Sequence, residues 1–279
     1  MAGMDPLHDP DDEELLHPRQ ARELAGRVEV ARLSSGAIRY GRTGQVAAAS
    51  VVLNPDDPLP GGNHACGLWG TGAEVAGTLL RLERTFADSD RAEAVVYASP
   101  TTVGEIEGIA DDAGWRAVEE NVALVHRTPQ APGTRARLAT GADAPGIAEL
   151  VADDAGLSGG AEARLVRLLG HRLDDPRCLL LVVDDADADP PRVAGFAQGF
   201  AEHGVGLVEH VVVRPGRRRR GIGSTLVGAV VAAARDRGAT LVAAQTEEGG
   251  GAQRFAEECG FEVTYPVTTF ARRIDELLD

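Results

Sequence analysis

A carboxylate and an imidazole stand side by side in the apolar run GLVEHVVV, as Glu209 and His210, and the chain then turns into RPGRRRRGIGSTL, Arg214 to Leu226. Glu and His are side chains suited to taking a proton from an attacking nucleophile near neutral pH. The five arginines within the seven residues Arg214 to Arg220, followed by Gly221 and Gly223, suit a different task. The valines before them read as a strand and the apolar pattern after them as a helix, so they form a strand-to-helix turn. Such a turn aims unpaired backbone N–H groups and the positive end of the helix dipole at one spot. Glycine lets the main chain approach an anion closely, and nearby arginines add charge-assisted bonds. Phosphate is the natural occupant; the plainer alternative is a solvated arginine turn with no ligand.

Two familiar phosphate motifs are excluded. All 28 basic residues are arginine, so the Gly-Lys-Ser/Thr of a P-loop is absent, and the last position of G-x-G-x-x-G is Leu226. A formal net charge of −15 and an aromatic content of 4% argue against a nucleic-acid partner, which would favour a basic face with stacking rings. The missing lysine fits GC-rich coding; it would also spare the chain from acylating itself.

For the proton acceptor, Glu209 is the first candidate and His210 the second, with Glu202 and His203 behind them. Glu209 facing solvent, or pairing with an arginine, is the competing reading. Neighbours on a strand point to opposite faces, so Glu209 and His210 reach one acceptor together only if the strand bulges.

Arg218-Arg219-Arg220-Gly221-Ile222-Gly223 resembles the R-x-x-G-x-G signature of the GCN5-related N-acetyltransferases (GNAT), with Pro215 three residues before Arg218. Val211–Val213 match the preceding strand, and Ala252, Phe255, Gly260 and Phe261 match the later A-x-x-F…G-F pattern. The resemblance covers about Arg135 to Arg273. It implies an acyl-CoA co-substrate, acetyl-CoA first, and no metal. Its pyrophosphate would rest on Arg218, Arg219, Arg220, Gly221, Ile222, Gly223 and Ser224. Its pantetheine arm would pair along Val211, Val212 and Val213, near Phe255. The tyrosine that many relatives carry one residue after Phe255 is Ala256 here, and their asparagine is Gly249. Tyr265 is the remaining candidate for protonating the thiolate, although nothing in its spacing brings it to the sulfur. Cys259 reads as core filler.

The elements that must position these residues follow a regular order after the linker TPQAPGT, Thr128 to Thr134. Extended ARLAT is followed by helices over DAPGIAELVADDAG and AEARLVRLLGHRL. Strands CLLLVV, RVAGFAQGFAEH and VGLVEHVVV come next, the first two joined by a loop at 184–191. The helix GIGSTLVGAVVAAARDRG, the strand TLVAAQT, the helix AQRFAEECG and the strand FEVTYPVTTFARRI complete the half. Alternating strands and helices give an α/β mixed sheet. ADDAGWRAVEENVALVHR, ending at Arg127, echoes AEECGFEVTYPVTTFARR, ending at Arg273: each has an acidic helix end, glycine, an aromatic, a strand and a final arginine. The echo points to two GNAT-like domains in tandem: an acidic arm over 1–17, a degenerate copy over 18–128 and the acetyltransferase domain over 135–279. In the first copy TGAEVAGTLLRLERTF would be the corresponding helix, with no R-x-x-G-x-G before it, so CoA binding is expected only in the second.

Three scattered cysteines, Cys66, Cys178 and Cys259, argue against a disulfide framework and for a reducing cytoplasm. His64 with Cys66 forms no triad or metal set, and Trp69 and Trp115 read as core aromatics. No apolar run is long enough to cross a membrane, and the N-terminus lacks the basic region of a secretory signal. The expected activity is acetyl transfer to the primary amine of a small molecule, cationic by the acid surroundings, in a cleft between the halves. The partner expectations are that acceptor, no nucleic acid, no membrane and, as an open assembly, a homodimer. Two other classes stay open: a non-catalytic acyl-CoA-binding scaffold, and nucleic-acid binding by the arginine turn.

Overall fold

The computed structural model describes residues 16–128, 135–157, 160–185, 187–189 and 192–274. The acidic arm up to residue 15, linker residues 129–134 and three residues of the loop at 184–191 lie outside the described residues.

The first half runs α1 (Pro18–Gly36), β1 (Arg42–Val46), β2 (Ala49–Leu53), β3 (Asn63–Cys66), α2 (Gly72–Ala87), β4 (Glu93–Ala98), α3 (Ile106–Asp112) and β5 (Arg116–His126). The second runs β6 (Arg137–Leu138), α4 (Ala144–Asp154), α5 (Ala161–Asp174), β7 (Cys178–Asp185), β8 (Arg192–Glu202), β9 (Val205–Val213), α6 (Ile222–Asp236), β10 (Leu241–Glu247), α7 (Gly251–Glu258) and β11 (Phe261–Arg273). Both halves end with the succession strand–helix–strand–helix–strand, β3-α2-β4-α3-β5 and β9-α6-β10-α7-β11. In each, the first two strands pair in parallel.

All strands join one mixed sheet in the order β1-β2-β3-β4-β11-β5-β10-β9-β8-β7-β6. The two echoing segments are thus each other's neighbours. β5 and β11 run antiparallel from Phe261↔His126 to Ala271↔Arg116. Each has crossed into the other half: β5 flanks β10 of the second half, and β11 flanks β4 of the first. The chain division at 128–135 is therefore not a division of the sheet, because the last strand of each half completes the other. Identical local causes launch both strands. Gly114 (φ +77) and Gly260 (φ +88) hold the left-handed conformation that ends a helix, stopping α3 and α7 just before Trp115 and Phe261.

Helix α6 buries Leu226, Val227, Val230, Val231 and Ala234 against the sheet. Two glycines of β8 let it lie close. A Cβ on Gly195 would meet Ile222 Cγ2 at 2.8 Å, and one on Gly199 would meet Val230 Cγ1 at 2.5 Å. A glycine inside a strand normally weakens it, and here it is the condition for that helix–sheet approach. Helix α1, which was not read from the sequence, starts at Pro18 in its first turn and buries Ala21, Ala25, Val28 and Ala31. It packs across the strands of both halves. No described helix is long and apolar enough to cross a membrane.

Candidate functional site

The parallel ladder between β9 and β10 stops at Val208↔Ala244. On its other edge β10 stays paired with β5, from Ala243↔Val125 to Glu247↔Asn121, while the β9 edge from Glu209 to Val213 has no strand neighbour on that side among the described residues. Two cavities open along this edge.

The first is a groove of about 550 Å³. Val211, Val212 and Val213 form one wall, Arg218, Arg219, Gly221, Ile222, Gly223 and Ser224 the turn, and Phe255 of α7 the far side. Gly221 is the N-cap of α6, left-handed at φ +75, and no side chain caps the helix. Arg219 is left-handed as well, at φ +61, so consecutive amides curl into the concave arrangement that receives anions. Gly223 packs under Phe255, whose Cζ would lie 3.0 Å from a Cβ there. The arginines divide the work. Arg214 pairs with Glu149 at 3.1 Å and Arg217 with Asp185 at 2.6 Å, tying the turn to the fold. Arg218 donates to the Val213 carbonyl at 2.9 Å and lies 3.4 Å from Asp154. Arg219 and Arg220 have no partner among the described residues and are exposed. They are the side chains left for an incoming anion, although Arg220 does not line the groove.

The first half has the same strand-to-helix junction before α2, and there the amides of Thr71 and Glu74 are already used. Thr71 caps the helix, and its own N–H and hydroxyl both donate to the Glu74 carboxylate at 2.8 Å. An internal carboxylate takes the position that an anion would need.

The second cavity, of about 460 Å³, lies at the other end of the free β9 edge. The β8–β9 register slips between Gln198↔His210 and Gly199↔Val208, making Glu209 the extra residue of a bulge. The bulge meets the condition set by the sequence, and both Glu209 and His210 line this cavity. Glu209 is fixed through one oxygen: its Oε2 accepts from Gln198 Nε2 at 2.9 Å and Arg172 Nη1 at 3.3 Å. Oε1 has no hydrogen bond among the described residues. So the competing reading of Glu209 as an arginine's partner also holds. His210 Nε2 lies 3.8 Å from Asp154 Oδ2. Burial lowers its pKa from 6.5, against the opposing pull of Asp154 and Glu209, so the ring is neutral at pH 7.

Much of the remaining wall comes from the first half: Arg32 of α1, His64 of β3, Tyr97 of β4, and Glu119 and Asn121 of β5. His64 is buried and its pKa is lowered to about 4, chiefly by desolvation. Burial pushes the Tyr97 hydroxyl up to about 12. None of these was singled out for the site from the sequence, because they meet Glu209 only through the exchanged strands. Glu202 and His203 lie at the other end of the hairpin and line neither cavity. Tyr265 is 3% exposed, packed with Ala21, Ala25, Ala123 and Val267 under α1, and borders neither cavity. Among the described residues no three metal-ligating side chains converge.

Arg172 links the halves. It is 3% exposed and reaches Ser35 Oγ of α1 at 3.2 Å as well as Glu209. Burial opposes its charge, but Glu209, Cys178 and Asp57 outweigh that and raise its pKa. Arg172→Ala empties a buried site and removes the donor shared by Ser35 and Glu209, and is expected to cost about 2–5 kcal/mol of unfolding free energy, read by urea denaturation. A cost under about 1 kcal/mol would mean that the pair holds nothing in place.

The sequence profile of the acetyltransferase (GNAT) family matches residues 147–261. No curated protein gives a significant match. Among solved structures, the chain is similar to a GCN5-related N-acetyltransferase from Kribbella flavida, with 19% identity, a TM-score of 0.65 and coverage of 89% of this chain and 95% of that one. It is similar to a GCN5-related N-acetyltransferase from Sphaerobacter thermophilus, with 18% identity, a TM-score of 0.56 and coverage of 93% and 94%. It is also similar to a tandem GNAT protein from the clavulanic acid biosynthesis pathway, with 14% identity, a TM-score of 0.56 and coverage of 95% and 96%. At these identities the structures speak for the fold.

Proposed function

Residues 147–261 are a domain of the acetyltransferase (GNAT) family, and from that premise we propose that the chain moves an acetyl group from acetyl-CoA to the primary amine of a small molecule. The observation that carries this reading is the unpaired edge of β9, which joins an uncapped helix N-terminus to a polar cavity. The groove suits acetyl-CoA. Its pyrophosphate rests on the amides of Gly221 to Ser224, with Arg219 and Arg220 free to pair with phosphate oxygens. The pantetheine arm completes the ladder that β10 abandons at Val208, beside Val211–Val213. The thioester then lies where the two cavities meet, near His210 and Val211, and the amine enters from the side of Glu209.

Attack needs a neutral amine, and the two bulge residues divide that task. Glu209, locked by Gln198 and Arg172, holds the ammonium on its open oxygen. His210, neutral at pH 7 and oriented by Asp154, takes the proton. Bound together, amine and thioester react directly, without an acetylated side chain: the C–N bond forms, the C–S bond breaks, and CoA leaves as a thiolate that is protonated from solvent, while His210 returns the amine's proton to water. Because the His210 pKa is lowered, the competent form persists below pH 6.5 and is lost only as the pH falls through that lowered value.

The test is thiol release from acetyl-CoA across a panel of primary amines. The expected result is amine-dependent release with an acid limb below pH 6.5. His210→Gln should lower kcat by about 100-fold and remove that limb. An unchanged limb in His210→Gln would transfer the proton to Glu209. No amine-dependent release with any acceptor would contradict the reading.

One observation favours a second reading, a non-catalytic acyl-CoA-binding protein. No tyrosine borders the groove, with Ala256 and Gly249 at the positions noted above and Tyr265 buried elsewhere. Tight CoA binding without turnover, unaltered by Glu209→Gln, would select it.

A further inference from the structure

The second cavity carries a positive charge that the reaction does not use. Two arginines, Arg32 and Arg172, line it beside three carboxylates, Asp57, Glu119 and Glu209, so the surplus is local to Arg32 and not a property of the whole wall. Arg172 is matched by the Glu209 carboxylate. Arg32 makes no ion pair: it is half-buried, its Nη1 donates to the neutral Gln245 Oε1, and no carboxylate lies within ion-pair distance of it among the described residues, although its charge still acts on the Glu29 carboxylate, whose pKa burial raises and Arg32 pulls back. Glu29, one turn earlier on α1, has its carboxylate engaged by the hydroxyls of Ser99 and Thr101 at 2.7 and 2.8 Å. A guanidinium with five donors, partly desolvated and bonded to a single amide, has capacity for a planar anion.

Its place relative to the amine follows from the register. Ala244 pairs with Val208, so Gln245 stands level with Glu209 on the next strand, at the point where β9 and β10 part. Adjacent strands lie about 5 Å apart and these are diverging, so the Arg32 head and the Glu209 carboxylate face one small volume from two sides. One end of the cavity takes a cation and the other an anion, a few bonds apart.

Resting on the acetyltransferase reading of the same site, we propose that the acceptor is a zwitterion. It would be a small molecule whose reacting primary amine lies a few bonds from a carboxylate, as in a free amino acid, with Arg32 as the residue that selects the carboxylate. A cavity of about 460 Å³ has room for an amino acid and its side chain. A polyamine, with no anion to offer, would leave Arg32 desolvated and unpaired. The selectivity determinant then comes from α1 of the first half, while acetyl-CoA is held by the second.

The test uses the full chain saturated with CoA, and free amino acids, each with its methyl ester and its decarboxylated amine. Equilibrium binding is read by calorimetry, and thiol release from acetyl-CoA is read separately. The expected result is that at least one amino acid binds more tightly than both its partners. Arg32→Gln should weaken that amino acid by about 10- to 100-fold, leave the ester and amine unchanged, and leave the CoA affinity unchanged. Arg32→Lys should restore part of the loss, since it returns the charge without the fork. Tighter binding of the esters or amines, an equal loss for all three in Arg32→Gln, or no amino acid binding at all would overturn the proposal. The two readings fail separately. Arg32-dependent binding without thiol release keeps the zwitterion site and removes the transferase, whereas release only with decarboxylated amines does the reverse.

Discussion

Gly221→Val is expected to abolish acetyl-CoA binding while leaving the protein folded. At φ +75 the position is left-handed, where a residue with a Cβ costs about 1–2 kcal/mol and a β-branched one is a genuine outlier. No atom lies within 4 Å of where that Cβ would be, so the change adds strain to the turn without disturbing the core. The turn relieves the strain by rotating, and the amides of Ile222, Gly223 and Ser224 no longer converge. Their joint donation to the phosphate is lost, so a weakening of about 100-fold or more is expected by calorimetry. Circular dichroism should be unchanged. Gly223→Ala acts more mildly, since its methyl would meet the Phe255 ring at 3.0 Å and displace it by a few tenths of an ångström, so a smaller loss of affinity is expected. Gly216→Ala is the control. Gly216 lies in the same arginine-rich turn, has open space where a Cβ would be and needs no left-handed backbone, so it should bind as wild type does. If Gly221→Val bound normally, the converging amides would not be the anion site.

The second large effect concerns the exchanged strands. Residues 135–279, expressed alone, are expected to bind no acetyl-CoA and to be insoluble or unfolded. The segment holds the whole arginine turn, and by chain order it looks self-sufficient. In the sheet, however, β10 is flanked by β5, so the fragment exposes an unpaired central strand edge and a free β11. Such edges aggregate. It would also expose Val205, Leu207 and Ala243 on the face where Val28 and Ala31 of α1 belong to the same core. Co-expression with residues 1–128 should rescue both solubility and binding, because each fragment supplies the strand the other lacks. A soluble, monomeric 135–279 fragment that bound acetyl-CoA at wild-type affinity would contradict the exchange.

What could be read from the sequence was what is local in chain. The turn from Arg214 to Gly223 carries its own explanation, since glycines, arginines and a helix start are all within a few residues. The bulge was readable only as a condition, because two adjacent polar residues in an apolar strand do not say which way the strand yields. The match between 110–127 and 256–273 was visible, but not that the two pair with each other. A strand bounded by the same helix, glycine and aromatic satisfies either neighbour equally, so its own residues do not choose. That choice brings Arg32, His64, Tyr97 and Asn121 to the wall facing Glu209. Each is an ordinary residue in its own element and becomes part of a cavity only through contacts far away in chain. Tyr265 was weighed for its chemistry, while its place in β11, the strand passed to the other half, sets it beneath α1 and apart from the groove.

The two helix starts make the most direct test possible. The α6 start has no side-chain cap, whereas at α2 the Thr71–Glu74 capping box takes two amides and sets a carboxylate where an anion would sit. Acetyl-CoA titrated calorimetrically into the full chain should therefore give a single saturable transition with one molecule bound per chain. No heat of binding, or two molecules per chain, would contradict the account.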